Sequence, residues 1–258
     1  MFDAAPTTTH ATSPCGTCPR GQCLGRLIET AVCHTAPCFA RGEHLFHSGD
    51  AVEFLYVIRK GAVKCYLVTA DGQEQIVGFH GAGDVVGVDS LSGGAFQGNA
   101  VTIQATEVCR LPAAAIRREM AVSDTFRQAL LGDMGREIQR LHRLLHLERC
   151  TAEQRVAAFL LSQLRKHGTD GTEPRVELPM SRAEIGSFLD LATETVSRMF
   201  TRLQSRGVLR VMPGAAGIMN LAGLTRSAQG GATAPSTCQP AALFARRPAT
   251  RYEARAAA

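Results

Sequence analysis

The chain has 258 residues, 45% hydrophobic and 20% charged, enough to bury a core in two domains. No run approaches the roughly 18 apolar residues of a membrane helix. The N-terminal segment lacks the basic-then-apolar order of a secretory signal, so a cytoplasmic protein without membrane contact is expected. In that reducing setting nine cysteines are poor material for a disulfide framework. Of the net charge of +5, the tail from Thr225 supplies +4, through Arg226, Arg246, Arg247, Arg251 and Arg255 against Glu253. The body is therefore nearly neutral, and nucleic-acid binding has to be argued from local charge.

Residues 1–38 form a cysteine-rich arm whose first fourteen positions are Ala/Thr/Pro-rich. Cys15, Cys18 and Cys23 follow within nine residues. Such closely spaced thiolates grip neighbouring corners of one metal centre and call for a fourth ligand, because zinc and iron–sulfur centres usually take four. No cysteine stands in a nucleophile motif with a partnered base, which argues against a thiol enzyme.

From residue 39 to 120 the texture changes to short apolar runs punctuated by turns. Phe54–Ile58, Val63–Val68, Gln75–Phe79 and Thr106–Leu111 read as strands, with Gly49-Asp50, Asp71-Gly72 and Gly83-Asp84 between strands. That spacing predicts an antiparallel β-roll or jelly roll. Residues 121–150 predict a long helix, on which Leu130, Met134, Ile138, Leu141 and Leu145 recur at spacings of four, four, three and four. A charged-flanked apolar seam of this kind suits pairing with a second copy, so a homodimer is expected.

Residues 151–224 predict a winged helix-turn-helix. Glu153–Lys166 is amphipathic, and Ser181-Arg182-Ala183-Glu184 is a capping-box signature. A second helix runs from about Thr193 to a stop at Gly207, and Val208–Val211 and Ile218–Leu221 flank a Pro213-Gly214 turn as the wing. In the second helix Val196, Met199, Phe200 and Leu203 face the core. Glu194, Ser197 and Arg198 share the opposite side near its start, where side chains reach base edges. Arginine forks onto guanine, glutamate accepts from cytosine, and serine suits either. Arg182, Arg202 and Arg206 are placed for phosphates. Residues 225–258 read as an unstructured basic tail. The whole is an α+β chain that ends in a module for double-stranded DNA.

Several segments carry a family resemblance: Gly42–Asp50, Leu55–Gly61, Gln75–His80, Gly83-Asp84, Glu153–Phe159 and Glu194-Thr195-Val196-Ser197-Arg198. On these the chain resembles the cAMP receptor protein/FNR superfamily of transcription regulators over about residues 40–224, and most of all its oxygen-responsive FNR branch. The resemblance implies a cyclic-nucleotide-binding-like sensor domain, a two-fold DNA site built from TTGAT-type half-sites, and contacts with RNA polymerase. It also implies a [4Fe–4S] cluster on three N-terminal cysteines and one at the end of the barrel, which Cys109 matches. The implied metal ligands are Cys15, Cys18, Cys23 and Cys109. Four residues separate Cys18 from Cys23, a shorter gap than the family's, so Cys33 and Cys38 stay open as substitutes for Cys23. A cyclic nucleotide is not expected, because Val86–Ser90 and Gly98–Ala100 offer no arginine for its phosphate. The alternative sensor chemistries on the same DNA-binding frame are zinc, haem with nitric oxide, or cysteine oxidation.

Overall fold

The computed structural model describes Leu24 and residues 37–167 and 174–230. The chain divides into two compact units, Met1–Gln139 and Arg140–Ala258.

In the first unit eight strands form two four-stranded antiparallel sheets. They are β1 (Cys38–Phe39), β2 (His44–Phe46), β3 (Phe54–Lys60), β4 (Ala62–Val68), β5 (Glu74–Gly81), β6 (Val85–Val86), β7 (Asn99–Thr102) and β8 (Thr106–Pro112). One sheet runs β1-β8-β3-β6 and the other β2-β7-β4-β5. β3 is an almost continuous apolar run, buried at Leu55, Tyr56, Val57 and Ile58 because both of its faces are covered. The β4–β5 hairpin turns at Asp71-Gly72, where the Thr69 amide donates to the Gln73 carbonyl at 2.9 Å.

Gly61 joins β3 to β4 at φ +97, a region closed to most side chains. A Cβ at this position would lie 2.5 Å from the Ala105 carbonyl and from the Thr106 hydroxyl. That hydroxyl is occupied: it donates to the Gln104 carbonyl at 2.8 Å and accepts from the Ala62 amide at 3.2 Å. The close crossing of these two loops therefore depends on a residue without a side chain.

Helix α1 (Ala113–Val122) follows β8 directly, and helix α2 (Asp124–Leu147) begins after Ser123. The Ser123 hydroxyl accepts from the Phe126 amide at 3.2 Å, an N-cap for α2. Ile116, Phe126 and Leu130 enter the buried cluster of the β-roll alongside Leu55, Ile58, Val63 and Val108. Leu24 belongs to the same cluster, at 1% exposure.

The placement of Leu130 corrects the expected seam. At 2% exposure it is a core residue, whereas Leu131, Met134, Ile138, Leu141 and Leu145 are 40–62% exposed. The exposed stripe thus begins one residue later, at Leu131, and its spacings become three, four, three and four, a regular heptad. Leu130 and Leu131 are both leucines about 100° apart on the helix, and only packing against the sheets decides between them.

In the second unit α3 (Ala152–His167), α4 (Arg182–Leu189), α5 (Thr193–Ser205) and α6 (Leu221–Gln229) surround a three-stranded antiparallel sheet. Its order is β10 (Leu209–Met212), β11 (Ala215–Ile218), β9 (Arg175–Glu177). The second wing strand starts immediately after Gly214, earlier than the sequence suggests, and ends at Ile218. Helix α6 overturns the expectation that the tail begins at Thr225. The Asn220 side chain caps it by accepting from the Gly223 amide at 2.8 Å, and Leu224 and Ala228 are buried.

Leu130→Ala is expected to destabilise the first unit by about 3 kcal/mol, the usual size for a leucine deleted from a closed core. Urea unfolding of the full chain measures this, and a change within about 0.5 kcal/mol would return Leu130 to the surface.

Candidate nucleic-acid interface and cysteine centre

The helix-turn-helix is built from local signals that agree. Ser181 and Glu184 make the reciprocal capping box, with the Glu184 amide donating to the Ser181 hydroxyl at 3.1 Å and the Ser181 amide to the Glu184 carboxylate at 2.8 Å. Helix α4 stops at Asp190, whose φ of 52 is left-handed, and the Leu191 amide donates to the Gly186 carbonyl at 2.9 Å. The turn is so tight that a Cβ on Gly186 would lie 2.5 Å from the Leu191 carbonyl oxygen. Helix α5 then buries Val196, Phe200 and Leu203.

That burial fixes which side chains of α5 face outward. Glu194, Ser197, Arg198 and Arg202 are all exposed. Ser197 donates its hydroxyl proton to the Thr193 carbonyl at 3.0 Å, which leaves its oxygen to accept. Arg198 reaches back along the helix to the Thr195 hydroxyl at 3.3 Å. Three expected base readers therefore lie together in the first two turns, clear of the core.

The expected phosphate contacts are differently placed. The Arg182 guanidinium carbon sits 3.3 Å from the centre of the Phe200 ring, and burial pushes its pKa below the ordinary arginine value. Arg202 and Arg206 are exposed but share one carboxylate. Glu153 takes Arg202 Nε at 3.3 Å and Arg206 Nη1 at 2.5 Å.

Two residues of α3 do work that the sequence pattern does not announce. Besides Glu153, Arg155 donates to four backbone carbonyls: Cys150 at 3.0 Å, Leu189 at 2.9 Å, Asp190 at 3.2 Å and Glu148 at 2.7 Å. It ties the segment before α3 to the turn of the helix-turn-helix. The only signal in the sequence is an arginine placed one position before the buried Val156.

Cys15, Cys18 and Cys23 lie outside the described residues, as does Cys33. Cys109 lies on β8, 2% exposed, opposite Val57 of β3. Cys38 on β1 is exposed. It pairs with Glu107, two residues before Cys109. Facing residues of antiparallel strands share a side, so Cys38 and Cys109 stand one diagonal step apart on one face of the sheet. Cys65 on β4 is half-buried against the core. Among the described residues no group of three or more His, Cys, Asp or Glu side chains is arranged to hold a metal ion.

Known proteins agree with this architecture. Residues 38–123 match the cyclic nucleotide-binding domain family, and residues 154–227 match the Crp-like helix-turn-helix domain family. The fumarate and nitrate reduction regulatory protein of Escherichia coli (strain K12) is 37% identical over 173 residues, 66% of this chain and 69% of that one. The chain belongs to the Crp/FNR family of DNA-binding transcription regulators. Electron transport regulator A of Shewanella oneidensis is 35% identical over the same length. The structure of FixK2 from Bradyrhizobium japonicum superposes with a TM-score of 0.69 at 30% identity, covering 78% of this chain and 98% of that one. This Crp/FNR chain is accordingly a regulator and not an enzyme, and no helix among its described residues is long and apolar enough to cross a membrane.

Arg198→Ala is expected to cost about 1–3 kcal/mol of discrimination at one base pair of each half-site while non-specific binding stays close to normal. Competition between duplexes that differ at single positions measures it. An even loss across all duplexes would make Arg198 a phosphate contact.

Proposed function

We propose that this Crp/FNR regulator senses oxygen through a [4Fe–4S] cluster held by Cys15, Cys18, Cys23 and Cys109, and binds TTGAT-type two-fold DNA sites as a homodimer in the cytoplasm. The observation that carries the reading is the burial of Leu24, the residue after Cys23, in the same apolar cluster as Cys109. The donor set fits, since four cysteine thiolates are the usual complement of such a centre. β8 is paired on both sides, by β1 and β3, so Cys109 is a donor held in place by the sheet. Bound there, the cluster supplies an oxygen-labile crosslink between arm and β-roll.

The relatives' printed names, with their references to fumarate, nitrate and electron transport, accord with a regulator of anaerobic respiration. A cyclic nucleotide has no place in this reading. Val86–Ser90 offers no arginine. The buried Phe96 ring lies 2.7 Å from where a Gly87 Cβ would be and stacks on Phe46 at 3.6 Å.

Homodimerisation is assigned to the exposed stripe of α2. Glu194, Ser197 and Arg198 of each copy then read one half-site, with the half-sites about one DNA turn apart. Contacts with RNA polymerase are proposed on the family resemblance.

Protein purified without oxygen is expected to be brown, to hold four irons and four sulfides per chain, and to bleach in air. Cys109→Ser and Cys23→Ser should each abolish the iron, while Cys38→Ser retains it. Loss of iron in Cys38→Ser but not in Cys23→Ser makes Cys38 the third ligand. A colourless wild-type protein, or one holding zinc, defeats the oxygen-sensing reading.

Ile138→Glu is expected to give a monomer by sedimentation, with an unchanged helical circular dichroism spectrum and lost binding to two-half-site DNA. A dimer of normal affinity would remove the stripe from the account.

A further inference from the structure

Glu153 lies in the first turn of α3, outside the reading helix and its turn. It is the point where α3 meets the far end of α5. Its side chain is largely buried, at 18% exposure, and its two oxygens are divided between two arginines of the same helix. Arg202 and Arg206 each keep further N–H donors and remain at least half exposed. A single carboxylate thus halves the positive charge that this end of α5 presents to solvent.

We propose that Glu153 is an intramolecular brake on phosphate binding: it occupies Arg202 and Arg206 in the free protein and holds down the sequence-independent part of DNA affinity. The inference rests on the reading of these two arginines as phosphate contacts. Three observations lead to it. The pair partners are the arginines at the end of α5 remote from Glu194, Ser197 and Arg198, so their charge adds affinity and no base information. Arg202, Arg206 and Glu153 together carry a net charge of +1, so removing the one carboxylate charge doubles what this cluster presents to a phosphate. The contact is also fully formed without DNA, so a phosphate has to compete with a carboxylate already in place. A weak phosphate term in each copy makes DNA occupancy depend on two copies binding together, which is what a dimerisation-controlled regulator requires.

The test uses the full chain prepared without oxygen and fluorescence anisotropy on two duplexes, one with two TTGAT-type half-sites and one with neither, across a salt series. Glu153→Gln is expected to tighten both duplexes alike. It should steepen the plot of log affinity against log salt by about 1.8 for the dimer, about 0.9 for one more neutralised phosphate in each copy. Between 50 and 200 mM salt the variant dimer should then lose about twelvefold more affinity than the wild type. Glu153→Asp keeps the charge that favours the helix start but draws the carboxylate back by one methylene, and should move in the same direction by a smaller amount. In an Arg202→Ala/Arg206→Ala background, Glu153→Gln should change nothing.

Four results overturn the inference. An unchanged slope in Glu153→Gln, with a reduced slope in the double arginine variant, defeats the brake and leaves the phosphate reading standing. A wild-type slope in the double arginine variant defeats the phosphate reading and the brake with it. Weaker binding by Glu153→Gln would make the carboxylate a support that orients the arginines. A gain that persists without the arginines would be a diffuse charge effect.

Discussion

Five large apolar side chains, Leu131, Met134, Ile138, Leu141 and Leu145, stand in water along one face of a single helix. The other face of that helix is anchored by Phe126 and Leu130 in the β-roll core, so the stripe cannot turn inward. Covering it between two copies removes ten half-exposed side chains from solvent, worth on the order of 10 kcal/mol. Association costs about 4–15 kcal/mol in lost freedom. The gain lies inside the range of the cost, so the stripe on its own is compatible with a marginal dimer of the kind a switch requires. A seam that was much larger would hold the dimer permanently, and a smaller one would never form it. A contribution of a few kcal/mol elsewhere then decides the state.

The DNA-binding unit is the rigid partner of that balance. Ser181, Glu184, Gly186 and Asp190 fix the turn, Val196, Phe200 and Leu203 fix the rotation of α5, and Arg155 pins the turn to the chain before α3. With the frame set, the outward side chains divide by task. Glu194, Ser197 and Arg198 are free of the core near the helix start, whereas Arg202 and Arg206 are engaged by Glu153 at its end. On the proposed reading, specificity and bulk electrostatic attraction fall to different residues at the two ends of α5.

Much of this frame is legible in the sequence, and the exceptions have physical reasons. The capping box, the Gly207 stop and the apolar positions of α5 are local patterns, set by hydrogen bonding and helix period, and the structure keeps them. The Asp71-Gly72 turn is equally local. Leu130 is misread because two adjacent leucines satisfy a helical seam almost equally well, and only the β-roll chooses. Helix α6 is hidden by its shortness and composition: Leu221-Ala222-Gly223-Leu224-Thr225-Arg226 carries a glycine in its first turn, and its stability comes from the Asn220 cap and from burying Leu224 and Ala228. Glu153 and Arg155 act on partners 34 to 53 residues away, which no local pattern reveals. Cys109 is recognisable by resemblance alone, since a buried strand cysteine is ordinarily a small hydrophobe.

The central claim is that an intact oxygen-labile centre on the cysteines tips the marginal α2 stripe toward pairing. Sedimentation equilibrium of one anaerobic sample, repeated after exposure to air, tests it most directly. The account predicts a dimer of 27.6 kDa chains before exposure and a shift toward monomer after it, in step with bleaching. A mass that stays the same while the colour is lost would separate the cysteines from dimerisation and contradict the claim.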